Sequence, residues 1–407
     1  MEILPMKTIS LSGGQKKVRF ASLFLQVSVL LALAACKPAT RSDIPATSAI
    51  PAGMEYVDLC ETPAHCLKIS KLVMGTDHLG NMDNARTIEV LNEAVKLGIN
   101  TFDTSPIYGD GIEARLGDWL RSQNRTDLYV ISKGGFPRDL GPGAYSSRLK
   151  GTKEEIARNV LEEISVSDKQ LNHNITIYLM HRDDADFQDF ARVERPQTPV
   201  RTIMEALAFP EIRSRYKMLG VSNWDTPRIN ESQAEAKRDP SLPRPVLSSP
   251  YFSLFEMSSV TIHSGGVQVK HADMLDPDFQ NGIKIMTYSP LGGFNIVQNG
   301  WENAKREALE LKNNGDRYWG HAYAAIFHDA NEKRFSRALK FTEKFNAANG
   351  THYTVDQILN AYVLAHKRVD LLAIGPLDIR QLRQTVGALQ LSKKLTQADL
   401  DYLYKND

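Results

Sequence analysis

From residue 71 onward, short apolar runs alternate with amphipathic stretches. Runs at residues 71–76, 99–104, 128–135, 175–181, 216–223, 245–252, 283–291 and 369–375 are rich in β-branched and aromatic side chains and read as buried strands. Between them, apolar positions recur at helical spacing. In residues 84–97, Ile88, Leu91, Ala94 and Val95 share one face, and Gly98 ends the helix. Further helices are expected over 111–122, 152–165, 198–209, 226–236, 332–346, 354–366 and 378–389, with a short one at 276–280 and a terminal one at 397–404. Thr152, with Glu155 three residues on, has the form of a capping box. Strands alternating with helices imply an α/β fold with a parallel sheet. Eight such units suit a closed (β/α)8 TIM barrel. The rival, an open doubly wound sheet, is weakened because no GxGxxG follows the first strand. Residues 294–331 are too long for a plain connection and read as a long loop after strand seven.

Upstream of the alternation, YVDL and LKIS flank ETPAH and suggest a hairpin over residues 56–69. Cys60 and Cys66 face each other across it, a pair suited to a disulfide in an oxidising compartment, with two free thiols as the alternative. The amino terminus gives that compartment. Lys16, Lys17 and Arg19 precede an apolar run from Phe20 to Ala35 that is short for a span. It ends in Leu33-Ala34-Ala35-Cys36, which resembles the lipobox of bacterial lipoproteins and marks Cys36 for lipidation. The expected organisation is a signal peptide (1–35), a Pro-, Ala-, Ser- and Thr-rich tether (36–53) and a barrel (54–407). The expected location is the bacterial cell envelope, with the protein lipid-anchored on the periplasmic face of the outer or inner membrane. Lys37 in place of an aspartate leans toward the outer one. A formal charge of +1 on 407 residues argues against nucleic acid as a main partner.

Polar residues at strand ends change the picture further. Asp103 closes the second strand, Tyr108 lies in the loop after it, Lys133 closes the third and His181 the fourth. Successive barrel strands are spatial neighbours, so the four converge at the carboxyl-terminal mouth, where barrel function concentrates. Singly, each has a plainer reading as a turn, surface or core residue. Paired carboxylates or a metal cluster, which a hydrolytic barrel needs, are absent from the strand ends.

FDTSPIYGDGIEARLGDWL, VISKGG, YLMH, LGVSNW, SPYFSLFE and TYSPLGGF together resemble the successive strand-end motifs of the aldo-keto reductase family, from Met54 to Leu403. The resemblance implies a (β/α)8 barrel whose bottom is closed by the hairpin, and an NADP- or NAD-dependent oxidoreductase that interconverts carbonyl compounds and alcohols. It implies Tyr108 as general acid, its pKa lowered by the Lys133 ammonium, Asp103 as partner of that lysine, and His181 as the group that polarises the carbonyl. The cofactor contacts it implies are Gly75, Thr76, Ser222, Asn223, Ser249, Tyr288, Ser289, Leu291, Gly375, Gln381 and Thr385. Ser249 and Thr385 stand where the family usually has glutamine and asparagine. Leu377-Asp378 stands where a cation often meets the 2′-phosphate, so a carboxylate beside the ribose is expected to weaken NADP preference, unless Arg380 and Arg383 turn inward. A small-molecule carbonyl or alcohol is the expected partner, with membrane contact through the lipid anchor alone. A non-catalytic, redox-sensing nucleotide-binding barrel partnering another envelope protein is the alternative. Trp301, Tyr318, Trp319, Tyr323 and Phe327 are expected to cover the mouth.

Overall fold

The computed structural model describes residues 53–405, apart from 110, 142, 193–195 and 259–265. The leader, the tether and Cys36 therefore lie outside the described residues. Eight parallel strands close into a barrel: Leu72–Gly75, Thr101–Asp103, Tyr129–Gly134, Ile175–Met180, Met218–Ser222, Pro245–Ser249, Lys284–Thr287 and Leu371–Ile374. They lie in chain order around the ring, and the last pairs with the first through Leu372 opposite Leu72. The expected (β/α)8 fold is what the chain adopts. The expected strand ends were longer than the observed ones, because ladder pairing stops where each strand leaves the ring.

Two apolar layers hold it. Val73, Ile131, Ile177, Leu179, Met218, Leu247, Met286 and Leu371 fill the interior, and a larger layer packs between the strands and the surrounding helices. Strands Tyr56–Thr62 and His65–Ser70 form the antiparallel hairpin. Its Leu59 and Ile69 are fully buried in the interior cluster, and so plug the barrel at its amino-terminal end. Arg244, just before the sixth strand, holds the hairpin by donating to the carbonyls of Cys60 and Glu61 at 2.9 and 2.7 Å. Cys60 and Cys66 are paired in register and joined by a disulfide.

The capping box forms as expected: Glu155 N donates to Thr152 Oγ1 and Thr152 N to Glu155 Oε2, opening helix Lys153–Gln170. Other expectations need correction. The helix expected over 198–209 is present as Val200–Leu207, and a further short helix, Pro210–Arg213, follows it with Pro210 in its first turn, where no interior N–H is needed. The short helix expected at 276–280 lies earlier, at His271–Leu275. The expected loop after strand seven is mostly helical: Ile296–Asn299, Trp301–Asn313 and Arg317–Ile326. Trp301, Ala304 and Ala308 give the middle one a buried face at helical spacing, and the Asp316 carboxylate caps the last by accepting from Trp319 N. The loop after strand three also carries structure. Arg138–Gly141 and Ala144–Ser146 pair with each other, and the latter with Phe187–Gln188, in a small antiparallel sheet over the mouth.

Candidate active site

A cavity of about 790 Å³ opens at the carboxyl ends of the barrel strands. Asp103, Tyr108, Lys133 and His181 all line it, so the four strand-end groups do converge. Lys133 Nζ donates to Asp103 Oδ1 at 2.5 Å, to the Thr104 carbonyl at 3.0 Å and to the Tyr108 hydroxyl at 2.8 Å. Its three protons are thereby directed to three acceptors. Because the phenol oxygen accepts from the ammonium, the phenol's own proton is left to point elsewhere. Asp103 and Lys133 are almost fully buried. Burial pulls Lys133 below its ordinary value and pushes Asp103 above its own, while their mutual attraction opposes both shifts.

The expected lowering of Tyr108 is not what this arrangement produces. Burial of the phenol, with the Asp103 and Asp77 carboxylates adding to it, pushes its pKa well above the ordinary value. Desolvation of the buried phenol is the largest cause, and it outweighs the attraction of the ammonium that Tyr108 shares with Asp103.

His181 follows the fourth strand, and its backbone N donates to Gly134 O at 2.7 Å, which fixes the chain there. Its Nδ1 lies 3.4 Å from Ser105 Oγ, and its ring meets those of Tyr108 and Phe136 edge-on. Asn223, in the left-handed region at φ 59°, ties three strand ends together. Its Nδ2 donates to His181 O and Ser222 Oγ, and its Oδ1 accepts from Tyr288 OH at 2.7 Å and Val267 N at 3.1 Å. Ser222 Oγ donates to Ser249 O.

Of the expected cofactor contacts, Gly75, Ser222, Asn223, Ser249, Tyr288, Ser289, Leu291, Gly375, Gln381 and Thr385 line the cavity. Thr76 does not: its side chain is fully buried behind the wall and its backbone N donates to Asp103 O, joining the first two strands. Asp378 is also placed otherwise than expected. Its carboxylate accepts from Gln381 N at 2.8 Å and caps helix Ile379–Ser392, so it faces the helix end and not the cavity. The two arginines part company. Arg380 lines the cavity, while Arg383 donates to Glu93 Oε1 at 2.7 Å on the outer face. Gln381 Oε1 accepts from Leu377 N and shapes the loop beside it.

Of the aromatics expected over the mouth, only Tyr318 lines the cavity, joined by Phe294 from the same insertion and by Tyr145 and Phe190 from the small sheet and its turn. Trp301, Tyr323 and Phe327 pack against one another instead, with ring centroids 5.3 and 5.8 Å apart. Sequence reasoning passed over Asp77, Ser105, Phe136 and Arg182. The signal for Arg182 was its position, directly after His181 in the strand-end motif YLMHRDD.

The donor set fits a long polyanionic molecule. The cavity runs from Tyr108 and Lys133 past Tyr288 to the Gly375–Leu377 loop, Arg380, Gln384 and Thr385, against the first turn of a fourteen-residue helix. Gly375, on the cavity wall, lets the His78 ring pack closely, since a Cβ there would lie 3.0 Å from that ring.

The aldo/keto reductase family model matches residues 71–405. An uncharacterized oxidoreductase of Bacillus subtilis (strain 168), YrpG, is 25% identical over 352 residues, covering 83% of this chain and 92% of that protein. A putative aryl-alcohol dehydrogenase of Schizosaccharomyces pombe is 23% identical over 367 residues, again covering 83% of this chain and 92% of its own length.

Proposed function

The chain belongs to the aldo/keto reductase family and is an oxidoreductase, and from that premise we propose that it interconverts an aldehyde or ketone and its alcohol with Tyr108 as proton donor. The observation that carries this is the Lys133 ammonium, held at contact distance by Asp103, Thr104 and the Tyr108 hydroxyl on the wall of one cavity. A nicotinamide dinucleotide supplies the hydride when bound. As hydride reaches the carbonyl carbon, negative charge grows on the oxygen. Tyr108, kept protonated by burial, gives that oxygen its proton, and the Lys133 ammonium stabilises the phenolate left behind. His181 donates from Nε2 to the same oxygen, in the tautomer in which the Ser105 hydroxyl donates to Nδ1. Tyr288, Ser222, Asn223 and Ser249 would hold the nicotinamide end of such a dinucleotide, and Gly375, Gln381 and Thr385 the adenosine end. Turnover of an aldehyde by the purified protein with either dinucleotide tests the reading. Dinucleotide binding with no turnover across an aldehyde panel favours a binding module instead.

Arg380 is the cation that helix Ile379–Ser392 turns into the cavity, so NADP is the preferred dinucleotide in this account. Arg380→Ala is expected to weaken NADP about tenfold while leaving NAD within about twofold, the usual size of one exposed charge-assisted contact. Asp378→Ser is expected not to improve NADP binding, because the carboxylate it removes is a helix cap. A fluorescence titration of both dinucleotides against both variants measures this. An NADP gain in the serine variant contradicts it.

The amino-terminal pattern supports a lipid-anchored protein of the bacterial envelope with Cys36 as the modified residue. Cys36→Ala is expected to abolish incorporation of labelled fatty acid and release the protein from membranes. Retained label speaks against the lipobox.

A further inference from the structure

Tyr108 sits in the loop between the second strand and helix Ile112–Gln123. The loop's own bonds at this point are local: Tyr108 N donates to Ser105 O at 3.0 Å, and Ile107 N to Ser105 Oγ at 3.5 Å. Gly109 and Gly111 follow the tyrosine in the left-handed region, at φ 104° and 72°. Glycines leave the backbone much freedom. A proton donor works only when it is held within a few tenths of an ångström of its place, so on such a loop it needs anchors from outside.

Two side chains from the start of the following helix supply them. Arg115 donates from Nη1 to Met82 O at 2.8 Å and from Nη2 to Gly80 O at 2.7 Å. The segment it grips is firm: Leu79 is fully buried, and Leu79 N and Gly80 N both donate to Thr76 O, just past the first strand. Gly80 also touches the catalytic loop, since a Cβ there would run into the Tyr108 carbonyl oxygen. The guanidinium thus holds the glycine against which the Tyr108 backbone rests. Glu113, two residues earlier and 1% exposed, accepts from Ser132 Oγ at 2.6 Å. Ser132 precedes Lys133 in the third strand, so this bond ties the helix after Tyr108 to the strand that carries the ammonium. Together the two anchors bracket the 2.8 Å contact between Lys133 Nζ and the phenol. Neither Arg115 nor Glu113 lines the cavity. We propose that Arg115 and Glu113 are positioning residues for the proton donor: they set Tyr108 against Lys133 and within reach of the substrate oxygen, and act on the reaction through Tyr108 alone.

This inference rests on Tyr108 being the proton donor, and a comparison in two backgrounds separates the two. Arg115→Met and Glu113→Ala are each made in the full-length protein and in its Tyr108→Phe variant. The readouts are kcat and KM for an aldehyde, and dinucleotide affinity by fluorescence titration. In the parent, each substitution is expected to lower kcat roughly tenfold to a hundredfold, the size of a small displacement of a reacting group, with KM and dinucleotide affinity held within about twofold. Arg115→Lys, which keeps a donor, and Glu113→Gln, which keeps an acceptor for Ser132, are expected to recover much of the loss. In Tyr108→Phe the same substitutions are expected to cost less than about twofold more, because the group they hold in place is gone. Equal falls in both backgrounds overturn the inference, as does an unchanged kcat in the parent. A loss carried by KM or by dinucleotide affinity also overturns it, being the mark of a mouth loosened as a whole. Where Arg115→Met does not fold, Arg115→Lys and Glu113→Ala decide by the same comparison. Turnover of Tyr108→Phe at the parent rate overturns the reading of Tyr108 itself, and is told apart because it appears before any further substitution is made.

Discussion

Tyr108→Phe is expected to lower the rate of aldehyde reduction by about a hundredfold to ten-thousandfold, the usual worth of a positioned acid, with dinucleotide affinity almost unchanged. The substitution removes one oxygen and keeps the ring that packs edge-on to His181. It also deprives Lys133 of one of three acceptors but leaves Asp103 and the Thr104 carbonyl, so the ammonium stays in place. The pH dependence of the parent follows from the raised phenol pKa. The protonated form, which reduction needs, persists below that pKa, so reduction is expected to hold constant through neutral pH and to decline only above about 10, the ordinary value for tyrosine. Oxidation of the alcohol needs the deprotonated form and is expected to climb with pH over the same range. Initial rates in both directions from pH 6 to 11 check this. A reduction rate that falls near pH 7 contradicts the account.

The second large effect is expected from Lys133→Met, and it has two parts. Loss of the ammonium removes the group that stabilises the Tyr108 phenolate, so turnover falls by orders of magnitude. It also leaves Asp103 buried on the barrel wall without its partner, and breaking a buried ion pair from one side costs about 3–5 kcal/mol. A clear drop in denaturation midpoint is therefore expected. The double variant Asp103→Leu/Lys133→Met removes both charges, and is expected to regain most of the stability and none of the activity. Chemical denaturation with parallel rate assays separates the two effects. Recovery of activity in the double variant contradicts the role given to Lys133.

The barrel was legible because its strands are fully buried. Residues 71–76, 175–181 and 369–375 are near-continuous apolar runs, and closure of a parallel sheet demands them. Asp103, Lys133 and His181 were legible for the opposite reason: a charged or titratable side chain ending such a run is costly to bury and needs a function or a partner. Less was legible after strand seven. Gly292, Gly293 and Gly300 read as loop, yet Trp301, Ala304 and Ala308 carried a helical period within them. The small sheet after strand three was not legible, because its strands are two to four residues long and form only against each other and Phe187. Asp378 was misplaced for a local reason. The same carboxylate three residues before Gln381 suits a ribose contact or a helix cap, and the backbone N–H of Gln381, being nearer, takes it. The direction of the Tyr108 shift was misjudged because sequence shows the ammonium but not how deeply the phenol is buried, with the Asp103 and Asp77 carboxylates adding to that burial.

The most direct test of the central claim follows the hydride itself. The protein is mixed with an aldehyde and with reduced NADP carrying deuterium at the transferring carbon, and the alcohol is examined by mass spectrometry. The account predicts one deuterium on the alcohol carbon with the parent, made on one face of the nicotinamide only, and essentially none with Tyr108→Phe over the same time. No deuterium in the alcohol formed by the parent, or equal labelling by parent and variant, contradicts it.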